Sequence, residues 1–114
     1  MLKILLRLLL PLGLYAQTYP HSATLTWVDD ANPQGTVYNV YRAPGLCIDP
    51  PRLSKIADAV SAKTYTDTTV FAGTTYCYAV RSFYNNLESG NSSLVVASIP
   101  QDVVPPTALS VTIR

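Results

Sequence analysis

The chain has 114 residues, enough for one domain with a core of its own. Charged residues make up 13% of it and sum to a formal net charge of +1, which gives no electrostatic case for nucleic acid or an anionic membrane surface. Nine prolines and eight tyrosines, with many Thr and Val, describe an all-β chain broken by frequent turns.

Residues 1–16 differ from the rest. Lys3 and Arg7 make a short positive start, residues 8–14 are apolar apart from their proline and glycine, and Leu14-Tyr-Ala16 before Gln17 resembles a signal-peptidase site. Leu14 is larger than the small residue usual there. Arg7 divides an apolar stretch already too short to span a bilayer. The expectation is a cleaved signal peptide over 1–16 and a near-neutral protein, secreted or held at the cell surface or in the periplasm.

Residues 21–28 alternate, with Ala23, Leu25 and Trp27 inward and Ser22, Thr24 and Thr26 outward. A turn-rich loop follows, containing Asp29, Asp30, Asn32, Pro33 and Gly35. Residues 36–42 are the next strand, with Tyr38 and Val40 on one face and Val37, Asn39 and Tyr41 on the other. Residues 43–51 hold three prolines, a Gly and Cys47, and form a loop. Residues 52–57 suit a short edge strand, and 63–67 a strand with Tyr65 inward. The organising stretch is 70–83, a turn at Ala72-Gly73 followed by ten alternating residues. Tyr76, Tyr78 and Val80 share one face; Cys77, Ala79 and Arg81 share the other. A Gly turn three residues before a strand-opening Tyr matches a tyrosine corner, in which the phenol bonds backbone a few residues upstream. Residues 85–91 read as a polar hairpin loop, and 93–99 as the last strand. That gives six strands, and an expected core of Leu25, Trp27, Tyr38, Val40, Tyr65, Tyr76, Tyr78 and Val80.

Taken in order, Leu25-Thr-Trp27, Tyr38-Asn-Val-Tyr-Arg42, Tyr65-Thr-Asp67, Gly73-Thr-Thr-Tyr-Cys-Tyr-Ala-Val80 and Glu88-Ser-Gly-Asn-Ser92 resemble a fibronectin type III domain of the bacterial secreted type. The resemblance covers roughly residues 22–100. It implies an immunoglobulin-like β-sandwich of about seven antiparallel strands, with sheets A-B-E and C-C′-F-G around a Trp and Tyr core. It implies no activity, since the sandwich hosts many unrelated roles. The domain is placed at 17–100. One departure matters: signal cleavage would leave almost no chain ahead of residue 21 to form the family's first strand, A.

Catalytic chemistry has little to stand on. There is one His, no Cys/His cluster with ligand spacing, no nucleophile elbow and no glycine-rich loop before a helix. Asp29-Asp30 lacks the spaced oxygen ligands that calcium wants and reads as a solvated turn. Neither an enzyme, a metal nor a cofactor is expected. Asn91-Ser-Ser93 is a glycosylation acceptor by pattern, of consequence only in a eukaryotic secretory pathway. Val37, Tyr41 and Ala79, with Leu94 or Val96, offer a ligand-binding area on the outer face of the larger sheet, which ordinary cross-strand packing explains equally well.

Cys47 and Cys77 are the only cysteines, and an oxidising compartment favours their pairing. In the implied topology Cys47 lies just past the end of strand C and Cys77 just inside strand F, so a bridge would staple the outer face of the larger sheet.

Residues 101–106 form a proline-rich linker. Beyond it, Leu109, Val111 and Ile113 alternate with polar residues as a C-terminal β-strand would. Six linker residues reach at most about 20 Å. A strand of about eight residues spans about 26 Å, so a return to the domain's own A position looks out of reach. Donation to a neighbour stacked head to tail would give an open homo-oligomer. The expected function is a secreted structural or adhesion module, and three accounts of Leu109, Val111 and Ile113 stay open: a frayed end, a strand added to their own domain, or a strand donated to another subunit in self-association. The alternative is a monomer that binds a glycan or another protein.

Overall fold

The computed structural model describes residues 20–114, so the signal-peptide reading of 1–16 and the start at Gln17 lie outside the described residues. Seven strands follow in chain order: β1 (Ala23–Thr26), β2 (Val37–Pro44), β3 (Ser54–Val60), β4 (Thr64–Asp67), β5 (Thr75–Tyr84), β6 (Leu87–Glu88) and β7 (Val95–Ser98). No helix occurs among the described residues. All pairings are antiparallel, in a two-stranded sheet β1-β4 and a five-stranded sheet β3-β2-β5, whose outer side carries β6 and then β7.

The chain is an all-β sandwich whose core lies where the two sheets meet. Val70, Tyr76, Tyr78 and Ile99 form its buried centre, with Ala23 and Leu25 of the small sheet, and Ile56 and Ala97, packed against it. Period-two alternation along β5 sends Tyr76 and Tyr78 into this layer. The tyrosine corner is present: the Phe71 backbone N–H donates to Tyr76 Oη at 3.0 Å. Gly73, at φ 71°, supplies the left-handed residue that lets the turn 71–74 close onto the strand. Its N–H bonds the Ile99 carbonyl at 3.0 Å, tying the corner to the end of β7.

Two elements differ from the sequence reading. The polar stretch 85–91 is more than a loop, because Asn85 and Asn86 take φ of 50° and 63° and turn the chain in two residues. That left-handed pair matches the twist of a tight hairpin and brings β6 back onto the end of β5, with Phe83 opposite Glu88. In β3 the pairing with β2 slips between Tyr38 and Val40, and Ala59 sits at φ 54°. Asn39 Oδ1 accepts from the Ala59 N–H at 3.0 Å and holds this bulge.

β1 has four residues, so it rises only about 13 Å, half the length assumed for an eight-residue partner. A linker reaching about 20 Å is long enough to climb that far, and reach alone does not exclude a return. Residues 101–114 form a unit separate from residues 21–100. By themselves residues 104–114 carry no strand, and Leu109, Val111 and Ile113 are 98, 82 and 87% exposed.

Candidate functional site

The side of β1 away from β4 is the open feature of the sandwich. β1 pairs with β4 from Ala23–Asp67 to Thr26–Thr64, and no strand pairs with its other edge among the described residues. An uncharged cleft of about 380 Å³ runs there, lined by residues that include Leu25, Trp27, Tyr78, Val80, Leu94 and Val95. A second cleft of about 390 Å³ adjoins it at the far end of β1, sharing Trp27, Val28, Val80 and Ser92 and adding Asp29, Asn32, Tyr38 and Asn91.

The floor of this groove is fixed by local chemistry. Trp27 packs edge-on against Tyr38 with ring centroids 5.4 Å apart. Tyr38 Oη donates to Asp29 Oδ2 at 2.8 Å, and Asp29 also accepts from the backbone of Ala31 and Asn32 and from Asn32 Nδ2. Those bonds, with Asn32 the strongest influence, hold the Asp29 carboxyl down at about 2. The Asp29-Asp30 loop is therefore a closed turn that props the tryptophan. The indole Nε1–H of Trp27 is buried without an acceptor, a cost that native proteins usually avoid.

The other wall comes from the gap between β6 and β7. Here Ser92 N bonds the Val80 carbonyl and Ser89 N bonds the Ser82 carbonyl, both at 2.9 Å. The return bonds go to side chains: Val80 N–H donates to Ser92 Oγ and Ser82 N–H to Ser89 Oγ, each at 2.9 Å. Serine hydroxyls thus replace the carbonyls that a regular ladder would supply, which satisfies β5 while the chain bows outward.

Beneath the groove an ion pair joins the two sheets. Asp67, 1% exposed, accepts from Arg42 Nη1 at 2.8 Å and Tyr78 Oη at 2.7 Å. Its other oxygen accepts from Thr69 N and Thr69 Oγ1. Burial pushes this carboxyl up, but the bonds from Thr69, Tyr78 and Arg42 outweigh it and hold it at about 2. Tyr78 is driven well above its ordinary value by burial and by the Asp67 bond. With every lone pair direction engaged, this cluster is a structural clasp.

On the outer face of the large sheet the expected ligand surface is covered only in part: Val37 is half-buried, and Leu94 and Val96 are exposed. Asn39, Tyr41 and Ala79 are buried, and Glu88 of β6 reaches the side chains of the first two. Glu88 accepts from Tyr41 Oη and Asn39 Nδ2 at 2.7 Å and from Arg81 Nη1 at 3.0 Å. The Arg81 guanidinium lies 4.1 Å from the Tyr41 ring centroid, and its Nε donates to Asn91 Oδ1. The bonds from Tyr41, Asn39 and Arg81 hold Glu88 at about 2. Tyrosines on this face are not free to meet a ligand.

Cys47 and Cys77 form a disulfide, with Cα atoms 5.1 Å apart. Cys77 is fully buried on the side of β5 opposite the tyrosines, under the loop that the bridge ties down. Of the expected core, Tyr38, Val40, Tyr76 and Tyr78 are buried, while Leu25, Trp27, Tyr65 and Val80 are half-buried. Three of those four, Leu25, Trp27 and Val80, line the clefts beside β1. Among the described residues no group of three or more His, Cys, Asp and Glu gathers as a metal site, and no helix there is long and apolar enough to cross a membrane. Neither a family model nor a curated protein matches this chain.

Proposed function

We propose that the chain is a secreted, non-enzymatic structural or adhesion module of the fibronectin type III kind, which works by accepting an extended polypeptide strand along β1. The observation that carries this reading is that, among the described residues, β1 pairs on one side, with β4, and borders a groove with an apolar floor on the other. A bare strand edge offers a row of N–H and C=O groups, and alternate side chains of an added strand find the apolar floor beneath. The disulfide supports an oxidising location outside the cytoplasm. A glycan is the second reading, favoured by Trp27 lying among Asn32, Ser89 and Asn91 in the upper cleft.

The test places a photo-cross-linking residue at Thr26, which is exposed on β1, and another at Lys55 on β3 as a control. The full chain, secreted by its native host, should yield a polypeptide adduct at Thr26 and none at Lys55. No polypeptide adduct at Thr26, together with saturable binding of an oligosaccharide that shifts Trp27 fluorescence, would replace this reading by the glycan one.

A further inference from the structure

Resting on the strand-accepting reading above, the geometry points to a specific occupant. We propose that residues 107–114 of a second copy of this chain add antiparallel to β1, placing Leu109, Val111 and Ile113 in the groove.

The match begins with length. Leu109 to Ile113 covers four residue steps, about 13 Å, the same rise as from Ala23 to Trp27. An antiparallel register then sets Leu109 against Trp27, Val111 against Leu25, and Ile113 against Ala23. All three β1 partners point inward and are half-buried. The chemistry agrees on both faces. The cleft beside Leu25 and Trp27 is lined by no charged residue, and Leu109 and Val111, set against those two, are aliphatic, as is Ile113 against Ala23. Outward, β1 and β4 carry a row of threonines, with Thr24 Oγ1 and Thr66 Oγ1 bonded at 2.9 Å. Ser110 and Thr112 would fall beside Thr26 and Thr24 and extend that hydroxyl row. The added backbone also brings carbonyls to the end of the groove where the Trp27 indole N–H lacks an acceptor.

Direction selects the copy. β1 begins opposite Asp67, at the pole where Gly73 N–H bonds the Ile99 carbonyl and β7 ends. A strand antiparallel to β1 must enter from the other pole, beside Trp27. To occupy its own groove the tail would have to climb the length of β1 and reverse within its linker. A copy stacked on the β7-end pole presents its Trp27 pole directly, and no reversal is needed. In the single chain the tail is left exposed and without strand pairing. Each copy has one donor and one acceptor, so the contact is heterologous and repeats as an open chain.

Two variants of the full chain that each add one cysteine beside the Cys47–Cys77 bridge, Thr26→Cys and Ser110→Cys, test the register when mixed under mild oxidation. A 26–110 cross-link between different chains is expected, with none when Ser110→Cys meets Thr66→Cys, one strand further away. Unmodified protein should show weight-average mass at least doubling (about twofold or more) over a concentration series, and Val111→Asp should abolish that rise. A constant monomer mass with no cross-link between chains overturns the proposal, as does a 26–110 link formed inside a monomeric double variant. If the Thr26 photoadduct holds a different polypeptide and survives Val111→Asp, strand acceptance stands and the copy-to-copy proposal falls. If Thr26 yields no polypeptide adduct at all, both fall.

Discussion

Asp67→Asn probes the clasp between the sheets. Asparagine keeps the volume but presents an amide nitrogen, a donor, to a pocket filled by donors from Thr69, Tyr78 and Arg42. Removing one partner of a buried ion pair costs about 3–5 kcal/mol, a large share of the 5–15 kcal/mol typical of a domain. The pH dependence separates charge from shape. Asp67 is held below its ordinary value, so its contribution is fully present above about pH 4 and lost as pH falls toward 2. A shift from 3.8 to about 2 corresponds to roughly 2–3 kcal/mol. Urea denaturation at pH 7 and at pH 2 should therefore find the variant's deficit shrinking by about that amount in acid. The residual acid slope of the variant comes from Asp29 and Glu88, which are also held low. A deficit below about 1 kcal/mol at pH 7, or one that does not change with pH, would refute the clasp.

Tyr76→Phe should cost about 1–3 kcal/mol by removing the acceptor of the Phe71 N–H, whereas Tyr84→Phe, at an exposed strand end, should cost under about 0.5 kcal/mol; denaturant midpoints compare the two. Non-reducing peptide mass mapping should recover Cys47 joined to Cys77. Replacing both with Ala should lower stability by about 3–4 kcal/mol, from the entropy of closing a loop of 30 residues. Glu88→Gln should loosen β6 by on the order of 1–2 kcal/mol. Faster amide exchange across residues 85–91 would report it, as would the same loosening in wild-type protein acidified toward pH 2.

The tyrosine corner and the disulfide were legible because each rests on short-range signals. Gly73 and Tyr76 stand at turn spacing, and Cys47 and Cys77 flank paired strands. Alternation also named the two faces of β2 and β5 correctly. What it could not say is whether the second face is covered. Asn39 and Tyr41 bond Glu88, which reaches them because a two-residue strand turns back to pair beside β5. The adjacent asparagines at 85 and 86, residues tolerant of left-handed backbone, were the available clue to that turn. The clasp was hidden for another reason. Arg42 and Asp67 belong to separate motifs, and only the packing of one sheet on the other brings them together. Leu25, Trp27 and Val80 were assigned to the core on periodicity; Leu25 does pack against it, and all three, half-buried, also line the clefts beside β1.

Asn91 has a consequence for how the protein is made. Its Oδ1 faces Arg81 while the residue itself borders the cleft beside Trp27, and it begins the Asn-Ser-Ser acceptor pattern. A eukaryotic secretory host would attach its oligosaccharide to the free Nδ2, leaving the Arg81 contact intact and the fold undisturbed. The sugar would then stand at the mouth of the groove as a bulky, mobile plug. On the proposed strand addition between copies, material from such a host should fold and oxidise normally yet stay monomeric, and enzymatic removal of the glycan should let it assemble.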